Sequence, residues 1–285
     1  MKTKVLLSVV AVAVFATVFI SYGNKNETKE GDNGEREISP TNVNNPLNIS
    51  IYLDLSDRLT RNMAPSQKDR DLEIVNYIAE YVKNHSVSQK IIPSKDRIKV
   101  FFYPTPADPK IALLSSDLEM DLSKAQPADK KKMLKEFQKN FNTSLTQIYD
   151  ATLQAKDWPG SDIWGFFRKQ VDTYCVREDS RNIIVILTDG YIFHAQNKVK
   201  VGNNYSYITP ATLKNPNSGL IAERDGLDNI EVLMLEVNPI DPKHQDQMER
   251  ILQKWFSDMG VQKFYVGETD LPSNTKLIID KFLKE

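Results

Sequence analysis

Asp54, Ser56, Asp57 and Arg58 follow directly on an apolar run, in the segment IYLDLSDRLT at residues 51–60. Carboxylate and hydroxyl oxygens together suit hard divalent cations, Mg²⁺ above all, which takes six oxygens and tends to keep some of them as water. A second acid stands in a similar setting: Asp189 ends the run NIIVILT at 182–188 and precedes Gly190. An aspartate after a buried strand can also act as a nucleophile beside a metal in phosphoryl transfer. That chemistry needs a second acid to protonate the leaving group, and two residues beyond Asp54 stands Ser56 instead. His85, His194 and His244 have no ligand spacing, and Cys175, the only cysteine, has no partner for an internal disulfide. Each residue of the cluster also has a plain structural use. Asp and Ser cap turns and helix ends, and Thr-Asp-Gly is a common turn.

Elements must bring the two acids together. A strand that is apolar along its length belongs inside a parallel sheet covered on both faces, where ligands bind beyond the carboxyl ends of the strands. The spacing predicts strands at 48–55, 97–103, 182–188, 230–237 and 263–267, with a short edge strand at 110–115. Helices are expected at 68–84, with Leu72, Val75, Ile78, Ala79 and Val82 on one stripe, and at 128–141, 144–155, 163–176, 244–259 and 274–283. Strands alternating with helices indicate an α/β fold, a doubly wound, Rossmann-like and mostly parallel sheet with helices on both faces. If the first and the 182–188 strands are neighbours where the strand order reverses, Asp54 and Asp189 share one crevice.

In this order the residues resemble the von Willebrand factor type A domain. That family carries a metal-ion-dependent adhesion site built from a DxSxS motif after the first strand, a threonine in a distant loop and an aspartate in a TDG turn. Asp54 and Ser56 match the first two positions, LTQIYDATL at 145–153 looks like the threonine loop with Thr146, and ILTDG at 186–190 supplies Asp189. The similarity runs from about Leu47 to the end of the chain. It implies a divalent cation, Mg²⁺ or another, held by Asp54, Ser56, Thr146 and Asp189, with an open position for an acidic group of a protein partner. Arg58 stands where the family has its second serine. A guanidinium cannot be a metal ligand and keeps its charge, so Arg58 either closes the site with an internal ion pair or points away and leaves it one hydroxyl short. Asp57 beside it offers a further oxygen.

Lys2 and Lys4 precede an uncharged apolar run from Val5 to Ile20 and the small residues up to Gly23, the pattern of an export signal. The run is shorter than the roughly 20 residues of a comfortable bilayer span, and an extension through Gly23 would make it a retained membrane anchor. Residues 24–46 are polar and read as a flexible linker, so the folded domain is expected over 47–285. The 285 residues carry a formal net charge of -1, which gives no basic footprint for nucleic acid. The lysine-rich helix at 129–139 reads as a solvated face.

Two connections, 104–127 and 191–228, are long enough to suggest function. The second leaves the proposed crevice and carries Tyr191, Phe193, Tyr205 and Tyr207 among Asn and Gly residues, a mixture suited to a contact surface. The sequence therefore points to an exported or membrane-tethered protein-binding module of the cell envelope and not to an enzyme. The alternatives are a Mg²⁺-dependent phosphotransfer enzyme or phosphatase using Asp54, and a metal-free scaffold closed by Arg58.

Overall fold

The computed structural model describes residues 45–156, 158, 160–192 and 227–285. Strand β1 (Leu47–Leu53) is buried at every position, as a strand covered on both faces must be. It pairs in parallel with β2 (Arg97–Phe101) on one side and β4 (Arg181–Leu187) on the other. Beyond β4 lie β5 (Ile230–Val237) and β6 (Lys263–Glu268), both parallel, while β3 (Glu119–Asp121) pairs antiparallel with β2 at the far edge. The six-stranded order is β3-β2-β1-β4-β5-β6. This is the doubly wound arrangement, with the reversal of strand order between β1 and β4.

Alternate side chains of the central strands feed two cores, because successive Cβ atoms leave opposite faces. Ile49, Ile51 and Leu53 join Ile183, Val185 and Leu187 beneath α1 (Gln67–Ser88), α3 (Lys130–Ala155) and the last helix. Tyr52, Ile184, Ile186, Val232 and Met234 face Phe166, Phe167, Trp255 and Phe256 on the other side. Those rings belong to α4 (Ile163–Phe166), its continuation with π-helical winding (Phe167–Cys175), and α5 (Gln245–Asp258). The closing helix is α6 (Pro272–Lys284). Each fully buried Leu, Ile or Phe contributes about 1.5–3 kcal/mol, so the double-sided core carries the fold without a disulfide.

Two local expectations are corrected. Residues 110–115 do not form an edge strand. Pro109 takes the first helical turn and the Asp108 carboxylate accepts from Lys110 N at 2.8 Å, which starts the short helix α2 (Pro109–Leu114). The edge strand is β3 instead, so the 104–127 connection is a helix, a 3-10 turn and a strand. The expected pair of helices at 128–141 and 144–155 is the single helix α3. Asn142, Thr143 and Ser144 lower helix propensity without breaking the winding, because Phe141, Ser144, Leu145 and Ile148 continue one buried stripe.

The described residues lie within one compact unit, Thr41–Glu285. The export run and almost all of the polar linker lie outside the described residues. Among the described residues no helix is long and apolar enough to cross a membrane.

Candidate functional site

Asp54 and the Thr188-Asp189 pair leave the carboxyl ends of β1 and β4, the two strands on either side of the reversal. Asp54 N donates to Leu187 O at 3.1 Å, which carries the ladder one residue past the strand and holds the two ends together. The Asp54 side chain is 1% exposed. Its Oδ1 accepts from Ser56 N at 2.8 Å and its Oδ2 from the Thr188 hydroxyl at 2.8 Å. Ser56 is the cap of a 3-10 turn at Asp57–Thr60, with its hydroxyl oxygen 3.5 Å from Arg58 N.

That turn drives Arg58 inward. The residue is 1% exposed and among the largest fully buried side chains of the molecule. Its Nε donates to Asp54 O at 2.9 Å, and Nη2 donates to Leu187 O at 3.2 Å and to Asp71 Oδ2 at 2.6 Å. Nε also lies 3.7 Å from Asp54 Oδ2. Asp71, on α1, accepts further from the Tyr149 hydroxyl at 2.7 Å and from Gln67 Nε2 at 2.9 Å. Burial works against charge on Arg58, but Asp71 and Asp54 outweigh it and raise its pKa. For Asp71 burial is the largest influence and lifts the carboxyl above its usual value, although Arg58, Tyr149 and Gln67 all pull it down.

A second arginine closes the solvent side. Arg61 Nη2 donates to Asp189 Oδ2 at 2.6 Å and Nη1 donates to Asn238 O, in the loop after β5. Asp189 Oδ1 accepts from Tyr191 N at 3.2 Å. Burial first, and the neighbouring Asp54 carboxylate second, push Asp189 up to about 7 against the lowering pull of Arg61 and Arg58. A third arginine, Arg70, grips Glu236 through Nε at 2.7 Å and Nη2 at 3.0 Å and also donates to Asp270 O, after β6. Glu236 has φ 66, where the β5–β6 register shifts between Met234 and Val237. A non-glycine residue held at positive φ costs energy that surrounding contacts must offset, and here the Arg70 fork and Gln67 Nε2 at 3.2 Å do so.

The structure thus gathers Asp54, Ser56 and Asp189, as the sequence suggested, and places Arg58 among them. Thr146 is not part of the cluster. It lies inside α3, not in a loop, and its hydroxyl donates to Asn142 O one turn back at 2.7 Å. From α3 it is Tyr149 that reaches the crevice. Asp57 opens the 3-10 turn and is half-buried. Tyr191 is not a surface anchor: it is 6% exposed, packs in the second core and accepts from Ile240 N at 3.0 Å through its hydroxyl. Phe193, Tyr205 and Tyr207 lie outside the described residues. Asp71, Tyr149, Arg61, Arg70 and Glu236 escaped the sequence reading. One signal was there: Asp71 falls on the buried stripe of α1 with Ile74, Val75 and Ile78, and an acid in an apolar stripe calls for a buried partner.

A divalent cation needs several oxygen lone pairs turned to one open point. Here both Asp54 oxygens accept internal donors, both Asp189 oxygens do the same, Ser56 faces its own turn and a guanidinium fills the space between Asp54 and Asp71. As arranged, the donor set does not fit a divalent cation. Among the described residues no group of three or more His, Cys, Asp or Glu side chains is disposed to hold a metal ion.

No family model matches the chain, and no curated protein does. Among solved structures, the chain is similar to an aerotolerance-related membrane protein from Bacteroides fragilis NCTC 9343 carrying multiple mutations to serines, at TM-score 0.41 and 12% identity over 84% of this chain and 100% of that one. BatB from Bacteroides thetaiotaomicron matches with TM-score 0.41 and 12% identity over the same shares, 84% and 100%. The pilus adhesin SpaC from Lactobacillus rhamnosus GG, in its open conformation, matches at TM-score 0.44 and 12% identity over 84% of this chain and 30% of that one.

Proposed function

We propose that this chain is an exported or membrane-tethered protein-binding module of the von Willebrand factor type A kind, which meets its partner at the carboxyl edge of the sheet. The observation that carries the reading is the pair of exposed apolar side chains on the loops of that edge, Ile240 at 50% and Leu271 at 62%. Those loops are fixed. Arg61 holds Asn238 O in the first and Arg70 holds Asp270 O in the second, so both arginines tie the loops to the segment after β1 and to the start of α1. Rigid loops presenting isolated apolar groups beside a partly exposed arginine suit a binding surface with apolar anchors and a polar rim. The 193–226 segment, rich in Tyr and Asn, joins the same edge in sequence and is offered as a further part of the surface.

Asp54 is poorly suited to nucleophilic catalysis, because its carboxylate is buried and held by Ser56 N, the Thr188 hydroxyl and the nearby Arg58. The export run and polar linker support placement outside the cytoplasm, either released or tethered.

In vivo cross-linking of the full chain tests this function. Ile240→Asp, Leu271→Asp and the Tyr205→Ala, Tyr207→Ala double variant should lose a specific cross-linked species that wild type forms, with unchanged unfolding temperature. Ile92→Asp, 54% exposed and just before β2 at the opposite edge, should retain it. Equal capture by all variants would overturn the reading, and turnover of generic phosphate monoesters by the wild type would favour the enzymatic rival.

A further inference from the structure

We propose that the guanidinium of Arg58 stands in for a divalent cation in this crevice, so that the carboxyl edge assembles and stays assembled without metal. A cation in such a site joins separate elements by drawing their oxygens to one positive centre. Arg58 does the same with directed donors: it takes Asp54 O from the end of β1, Leu187 O from the end of β4 and the Asp71 carboxylate from α1. The planar fork matches a carboxylate, keeps its charge at any pH a folded protein meets and cannot be removed by a chelator.

The surrounding groups are arranged for a guanidinium rather than for an ion. Tyr149 and Gln67 donate to Asp71 and leave the carboxylate's remaining capacity to Arg58. Ser56, which a metal site would turn inward, caps the turn that delivers Arg58. Asp189, the remaining acid, is covered by Arg61 from the partly exposed side. Four buried carboxylates, Asp54, Asp71, Asp189 and Glu236, thus face three arginines, Arg58, Arg61 and Arg70. The positive charge belongs to the chain. Because Arg58 sits two residues beyond Ser56 in the same turn, folding of that turn and closure of the site are one event.

The test is thermal unfolding of the full chain in EDTA and in millimolar Mg²⁺ or Mn²⁺, with Mn²⁺ binding followed by the loss of its free electron-spin-resonance signal. The wild type should unfold at the same temperature in all three solutions and leave the Mn²⁺ signal undiminished. Arg58→Gln, neutral and still polar though two bonds shorter, should unfold roughly 6 °C or more below wild type, because it leaves Asp71 and Asp54 buried without their counter-ion. A wild-type rise of several degrees in Mg²⁺ or Mn²⁺ that EDTA reverses, or stoichiometric Mn²⁺ uptake, would overturn the proposal. So would an Arg58→Gln protein as stable as wild type. Should that variant fail to fold, the wild-type measurements decide alone. Loss of the partner-binding reading in cross-linking would leave these results untouched.

Discussion

The Arg58–Asp71 pair has both side chains fully buried and an Nη2–Oδ2 distance of 2.6 Å, so its energetics can be read by a double-mutant cycle. Arg58→Met preserves bulk and removes the cation, stranding Asp71, leaving Asp54 O without its donor and leaving Leu187 O with Asp54 N alone. Breaking a buried pair from one side costs about 3–5 kcal/mol. Asp71→Asn is milder, since Arg58 keeps the Asp54 carboxylate at 3.7 Å and two carbonyl acceptors; about 1–3 kcal/mol is expected for the weakened hydrogen bonds. In the double variant no stranded charge remains at the pair. Its cost should fall short of the sum of the single costs by about 1.5–3 kcal/mol, within the range found for residues in contact. Urea unfolding followed by the fluorescence of Trp158, Trp164 and Trp255 measures all four corners, with the midpoint moving at constant slope. Costs that add to within about 0.5 kcal/mol would refute the view that these two groups neutralise each other, and with it the account of why an arginine is tolerated in the core.

Other expectations follow from neighbouring contacts. Tyr149→Phe removes the hydroxyl that donates to Asp71 at 2.7 Å and should lower stability by about 1.5–3 kcal/mol, the range for hydrogen bonds to charged groups; an unchanged urea midpoint would remove the phenol from the network. Asp121 is held down at about 2: burial alone would raise it, but hydrogen bonds from Arg177 and Ser123 and the Arg177 charge prevail. Its stabilising contribution is therefore present above the unfolded value near 3.8 and lost as pH falls through about 2. Asp121→Asn should reduce stability at neutral pH and flatten the acid slope between those values, and parallel pH–stability curves would contradict it. Lys90, just beyond the C-cap of α1, has φ 62 and is exposed. Lys90→Gly removes the left-handed penalty at a position glycine favours and should raise stability by about 0.5–1 kcal/mol, seen as a higher unfolding temperature.

The strands of the second half were legible because their residues obey one rule over their whole length. Ile230–Val237 reads as strand from periodicity and is strand in the structure, and Arg181–Leu187 shifts by a residue at each end. The apolar letters of 110–115 fit either period, and Asp108 and Pro109, the cap and the first helical residue, decide for helix over the expected strand. The expected break in α3 falls at Asn142 and Thr143, both weak helix formers, and the unbroken buried stripe overrides them. Within the site, Asp54, Ser56, Asp189 and Arg58 were visible because a strand end followed by polar residues is a local pattern. Thr146 was assigned by likeness to a loop, and the continuous helix carries its hydroxyl back to Asn142 O.

By itself the sequence determined the α/β class, the two apolar strands whose ends carry acids, and the presence of an arginine beside them. Those follow from hydrophobic period and composition, which act over a few residues. Only the tertiary structure decided the direction in which Arg58 points and the identity of its counter-ion. Asp71 lies 13 positions away and Tyr149 donates to it from 78 positions away. A buried charge is stable only where separate elements bring it matched donors and acceptors, and that matching exists only once β1, β4, α1 and α3 have packed.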